Sequence, residues 1–130
     1  MLVTREIDYA LRILRALYRH GQLSAAAIAE KEHMPKAVTV KILKRLNAAG
    51  LVASRRGAAG GYLPQVPGDQ LCLEDVFRAL GEPACVNRCQ RPGYLCENQR
   101  PEECGMCREL GRIQAVLDRE LRKTPLSAMF

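Results

Sequence analysis

At 130 residues the chain has room for one domain, or one domain with an appended element, and its 48% hydrophobic content permits a real core. With no Trp and only 5% aromatics, that core must be built from Leu, Ile, Val and Ala. The net charge of +6 is concentrated in the first half, where residues 1–66 carry 11 Lys/Arg against 4 Asp/Glu while residues 67–130 carry 9 against 10; a polyanion-binding face is expected there, and no apolar run reaches the ~20 residues of a membrane span.

The opening MLVTREIDYALRIL meets Arg5 and Glu6 before any signal-peptide core can form. The expected location is therefore the cytoplasm, where thiols stay reduced and available to metals. Ile7, Ala10, Leu11, Leu14, Leu17 and Tyr18 recur at helical spacing and predict a first helix that stops at His20-Gly21. Ser24 stands where an N-cap belongs, before a short Ala-rich helix over 25–31, and Leu23 and Ile28 are placed as a hydrophobic staple. His33-Met34-Pro35 breaks the chain. Pro35 is expected at the first position of a third helix, which runs to about Ala49 and ends at Gly50.

The faces of that third helix separate cleanly. Val38, Ile42, Leu43, Leu46 and Ala49 share one side; Lys36, Lys41, Lys44 and Arg45 share the other. No Asp or Glu occurs from Pro35 to Arg56, whereas a solvated helix face normally mixes both signs. Short strands are expected at 51–55 and 62–65, joined by the basic, Gly-rich turn Arg56-Gly57-Ala58-Ala59-Gly60-Gly61. Leu73, Val76, Phe77 and Leu80 mark a fourth helix ending at Gly81-Glu82-Pro83, and Cys72 between two leucines reads as a core cysteine. Cys85 to Cys107 then holds five cysteines in the pattern C-x3-C-x6-C-x7-C-x2-C, broken by Pro92-Gly93 and Pro101. This segment is expected to be a loop. Met106, Leu110, Ile113, Leu117 and Leu121 form a coiled-coil-like seam on a last helix, marginal alone and in need of a partner face.

This order predicts a mainly α chain with a small β-hairpin wing, a winged helix-turn-helix with a long C-terminal dimerisation helix. Residues 1–83 would be the DNA-binding domain, 84–107 a cysteine-rich metal-binding loop, and 105–130 the dimerisation helix and tail. The third helix would enter the major groove of a double-stranded operator, with the wing at the backbone or minor groove. Lys36 and Thr39 are the candidates for base edges; Lys41, Lys44 and Arg45 are the candidates for phosphates, and Arg55 and Arg56 for phosphates or the minor groove. Gly57, Gly60 and Gly61 would let the wing backbone approach the duplex.

Thiols this dense without a secretory signal point to metal ligation rather than disulfides. Cys89, Cys96 and Cys104 are spaced as iron–sulfur ligands in a wrapping loop, and one helical turn would present Cys107 beside Cys104. Zinc held by the pairs Cys85/Cys89 and Cys104/Cys107 is the alternative, and thiol–disulfide chemistry a third. His20 and His33 sit at helix ends and read as structural or exposed. No Gly-x-Ser-x-Gly, phosphate loop or catalytic triad is present, which argues against an enzyme.

The residues carry a family resemblance. The run Thr4-Arg5-Glu6-Ile7-Asp8-Tyr9-Ala10-Leu11-Arg12, the helix end Lys41-Ile42-Leu43-Lys44-Arg45-Leu46 with Ala49-Gly50-Leu51-Val52, the wing Arg56-Gly57-Ala58-Ala59-Gly60-Gly61-Tyr62 and Thr124-Pro125-Leu126 resemble the Rrf-two (BadM-type) winged-helix regulators of bacteria. That resemblance implies a homodimeric DNA-binding transcription regulator, usually a repressor. It implies an iron–sulfur cluster, [2Fe–2S] or [4Fe–4S], on Cys89, Cys96 and Cys104, responding to redox poise, nitric oxide or iron status. Cys107 falls where some members carry a ligating histidine. Asp8 falls where others supply a carboxylate across the dimer. Cys85 is an addition to the usual pattern, so the fourth ligand stays open among Cys107, Asp8 and Cys85.

Overall fold

Thr4 opens the first helix in the computed structural model, which describes residues 2–98 and 102–130; Pro101 lies outside them. The Thr4 hydroxyl accepts from the Ile7 N–H at 3.4 Å, and helix α1 runs over Arg5–His20. Ser24 caps α2 (Ala25–Lys31) in the same way, accepting from Ala27 N–H at 3.1 Å. The break before α3 (Lys36–Ala48) is a helix C-terminus of unusual composition, because His33 takes the left-handed position (φ 51°) that glycine normally fills. The Met34 N–H then reaches back to the Ala29 carbonyl at 2.8 Å, closing the helix end. Pro35 stands one position earlier than expected, as the N-cap of α3 rather than its first residue. Its carbonyl takes the N–H of Thr39 at 3.0 Å, the bond that starts the helix.

Gly50 (φ 77°) ends α3 by the same device, with Leu51 N–H on the Leu46 carbonyl at 3.0 Å. The chain then turns into the antiparallel hairpin β1 (Val52–Arg55) and β2 (Gly61–Pro64), in the register Val52 with Pro64 through Arg55 with Gly61. Helix α4 (Leu73–Ala79) follows, closed at Gly81 (φ 58°). Cys72 is not a core residue. It is half-buried at the N-cap of α4, its thiol 3.1 Å from an Asp75 carboxylate oxygen that also accepts the Cys72 N–H at 2.9 Å. A cysteine between two leucines is ambiguous, and the acid three residues on is what makes it a cap. Helix α5 (Gly105–Lys123) is the longest, at 19 residues.

One apolar core joins these elements. Ile7, Ile13, Leu14 and Leu17 of α1, Ile28 of α2, Ile42, Leu43 and Leu46 of α3, and Val76 and Leu80 of α4 are buried together. The C-terminal part is built into that core, since Leu121 and Leu126 are buried within it and Leu126 N–H bonds the Leu71 carbonyl at 2.8 Å. The Tyr18 and Phe130 rings stack at 5.9 Å. The apolar stripe of α5 is split lengthwise. Leu117 and Leu121 pack inward, while Met106 (72% exposed), Ile113 and Val116 (41% each) face out. No described helix is long and apolar enough to cross a membrane.

Candidate DNA interface and cysteine centre

The outer face of α3 is built by what its inner face must bury. Lys36, Ala37, Lys41, Lys44, Asn47 and Ala48 are exposed, and Val40 is half-buried between them. Thr39 does not belong to that face. It is fully buried, and its hydroxyl donates to the Pro35 carbonyl at 3.1 Å. It stands three residues before Ile42 and four before Leu43, inside the apolar arc, so the expected base-edge role is withdrawn. The same wheel brings Ala37 and Asn47 outward, two uncharged residues that a charge pattern does not single out.

The four cations on α3 also divide. Lys36 and Lys44 are exposed and, among the described residues, without an ion pair. Lys41 and Arg45 lie along the flank that meets α1, where Glu6 takes both at 2.5 Å. Hydrogen bonding to Lys41, with the charge of Arg45 beside it, holds the Glu6 carboxyl below its usual value. Arg45 also donates to the Leu80 carbonyl at the end of α4. Its guanidinium thus ties three helices together, and its charge is largely compensated within the protein.

The wing is a welded element rather than a flap. Leu23 N–H bonds the Tyr62 carbonyl at 3.0 Å and Tyr62 N–H returns to the Leu23 carbonyl at 2.8 Å, fastening β2 to the segment before α2. The Gln22 side chain donates to the Ala59 carbonyl near the tip. This explains two glycines. A Cβ on Gly61 (φ 151°) would come within 2.6 Å of the Leu23 carbonyl oxygen, and one on Gly60 within 2.5 Å of the Arg55 oxygen. The close approach they permit is to the protein's own backbone. Gly57 (φ 110°) faces open space at the tip, and Arg55 and Arg56 beside it are exposed.

Two glutamines dock the cysteine loop onto α5. Gln114 accepts from Val86 N–H at 2.8 Å and donates to the Ala84 carbonyl at 2.7 Å, gripping the chain on both sides of Cys85. Gln90, in the tight turn over Arg88–Gln90, sits among the thiols. Its Nε2 lies 3.6 Å from the Sγ of both Cys89 and Cys107 and donates to the Cys107 carbonyl at 3.1 Å. The Cys85 thiol donates to the Gln90 carbonyl at 3.7 Å. Cys104 caps α5, accepting from Cys107 N–H at 3.4 Å. Desolvation pushes the Cys107 thiol up, with Cys89 and Cys104 adding to the effect, as expected where thiols crowd. Cys85, Cys89 and Cys107 therefore gather around one glutamine, with Cys104 beside Cys107, while Cys96 is half-buried farther along the loop and, among the described residues, makes no bond to this group. Among the described residues no three His, Cys, Asp or Glu side chains are close enough to hold a metal ion. The donor chemistry suits an iron–sulfur cluster or zinc; the spacing requires the loop to tighten. Asp8 pairs with Arg12 at 3.0 Å on α1.

Among the described residues, five α-helices, a two-stranded wing and a basic third helix define a winged-helix protein. The Rrf2 family, described as an iron-dependent transcriptional regulator, matches residues 3–130. The chain belongs to that family. The HTH-type regulator IscR of Cronobacter sakazakii is 33% identical over 91 residues, 70% of this chain and 53% of that protein. IscR of Erwinia tasmaniensis is 34% identical over 93 residues, 69% of this chain and 56% of that one. The chain thus spans a little over half the length of these relatives, which are transcriptional regulators and not enzymes. Among solved structures, T. potens IscR shares the fold with a TM-score of 0.75 at 20% identity, covering 98% of this chain and 84% of that one. The oxidised form of Staphylococcus aureus CymR gives 0.69 at 25%, covering 97% and 93%.

Proposed function

We propose that the chain acts as a homodimeric regulator, a repressor, that holds a double-stranded operator with α3 and the wing and carries an iron–sulfur cluster in the loop before α5. The DNA reading is supported by a surface of one sign: Lys36, Lys44, Arg55 and Arg56 are exposed, with no carboxylate between Pro35 and Arg56. Lys36 and Ala37, near the start of α3, take the base edges, and Lys44, Arg55 and Arg56 take phosphates. Lys41 and Arg45 reach phosphates only if Glu6 gives them up.

The cluster reading is supported by thiols grouped at the start of α5, in a family described as iron-dependent. Cys89, Cys96 and Cys104 would hold the cluster, with Cys107, Asp8 or Cys85 as the fourth ligand. When bound, it supplies a centre that responds to redox poise, nitric oxide or iron supply. A tenfold change in operator affinity needs only ~1.4 kcal/mol of difference between the two loop states. One observation favours a second reading. Cys85, Cys89 and Cys107 contact Gln90 and Cys104 contacts Cys107; these are the two pairs on which a structural zinc site would draw, with Cys96 left out.

Purification without air, a visible spectrum and metal analysis separate the two. A coloured protein with iron and sulfide supports the cluster; a colourless one with stoichiometric zinc replaces it. Operator binding is then titrated against salt for the loaded and stripped forms. About six or seven phosphate contacts over a dimer give a log–log slope near −6. Salt-insensitive binding would remove the DNA reading, and equal affinity of loaded and stripped protein would remove the control by the cluster.

A further inference from the structure

We infer that Val40 of α3 reads thymine in the operator by its 5-methyl group, with the small Ala37 beside it letting the helix come close; this rests on the DNA reading above. When a helix-turn-helix docks, the N-terminal residues of its second helix meet the base edges. In the first two turns of α3, Lys36, Ala37 and Lys41 are exposed and Val40 is half-buried among them. Thr39 and Ile42 are buried, and Val38 packs against the core. Lys41 is held by Glu6 at 2.5 Å on the flank that meets α1. One ammonium and two apolar side chains are left to face the bases. Asn47, an exposed amide on the same helix, lies seven residues past Val40, about 10 Å farther along the axis.

Val40 has no place in the core. Val38 stands almost opposite it on the helix and is among the half-buried residues packed against the core; Val40 is not among them. Nor does valine favour a helix, since its branched β-carbon loses side-chain freedom there. What surrounds it is charge of one sign: Lys36 and Lys44 are exposed, and no carboxylate occurs between Pro35 and Arg56.

A branched apolar group ringed by cations matches a polyanion that also displays methyl groups. In the major groove of B-DNA, thymine alone displays one. The valine side chain has no donor or acceptor, so what it recognises is apolar surface and shape. Ala37 stands three residues before it on the same side, and its single methyl leaves room for a base pair to come against the valine.

The test starts from a site the protein chooses. The full chain, loaded and stripped of metal, selects from a random duplex library. The enriched site is then made with thymine or with uracil, which keeps every hydrogen-bonding group and lacks only the methyl. Wild type is expected to lose affinity on uracil, on the order of fourfold for each methyl it contacts. Val40→Ala, which favours helix and so keeps the fold, is expected to bind the thymine site more weakly and to lose little more on uracil. Val40→Thr, which keeps one of the two methyls, falls between. No binding to any duplex overturns the DNA reading and this inference with it. Binding without an enriched sequence overturns this inference only. So does an enriched site that binds equally with uracil, or a uracil loss of the same size in wild type and Val40→Ala, which would place the methyl contact on other residues.

Discussion

Lys44 and Arg45 are neighbours of like charge with different work. Lys44 points to solvent, whereas Arg45 bonds Glu6 and the Leu80 carbonyl. Arg45→Ala is expected to cost about 1–3 kcal/mol of stability by denaturant titration, since charge-assisted bonds are lost and their partners stay half-buried. Lys44→Ala should stay within about 0.5 kcal/mol and instead weaken operator binding, lowering the magnitude of the salt slope by about 2, since a dimer loses one phosphate contact from each protomer. Sequence carries the sign of such residues but not their partners. Glu6 is 39 positions from Arg45, and no pattern links the two. Thr39 is different: its place in the apolar arc was available from helical spacing alone, and only the attraction of a hydroxyl for a base edge drew it outward.

Helices α1 to α4 were legible because each announces itself twice, by periodic apolar residues and by a cap or a left-handed stop. The cysteine loop has no apolar period, and its anchors are two uncharged amides, which leave no mark in a sequence. Between elements, the clasps are ionic. Glu6 joins α1 to α3, and Glu74 joins α4 to α5 through Arg122 at 2.6 and 2.7 Å. Both carboxyls are held below their usual value, Glu6 by Lys41 first and Glu74 by Arg122 first. Folding therefore favours the ionised forms. Their stabilisation is present above about pH 4.5, the ordinary value, and is lost as the pH falls through each folded-state value. Melting temperatures measured from pH 7 to pH 3 should drop below about 4.5. Glu74→Gln should lower the melt at pH 7 and soften that acid limb.

For the molecule as a whole, α5 has two masters. Its Leu117 and Leu121 edge belongs to the domain core, and its Met106, Ile113 and Val116 edge is uncovered in a single chain. Ile113→Glu should give a monomer in sedimentation with little change in the melt of the domain itself, and should flatten the salt slope of operator binding by about half, as one reading head is lost. An unchanged dimer would place the interface elsewhere. The grip of Arg45 on the last carbonyl of α4 has a further effect. Only four residues separate Leu80 from Cys85, so this guanidinium joins α3 to the stretch that leads directly into the sulfur-bearing segment. Were the proposed regulator to move its loop, the two ends would be hitched rather than merely adjacent, and slack in that short tow-line would set how far either shifts alone.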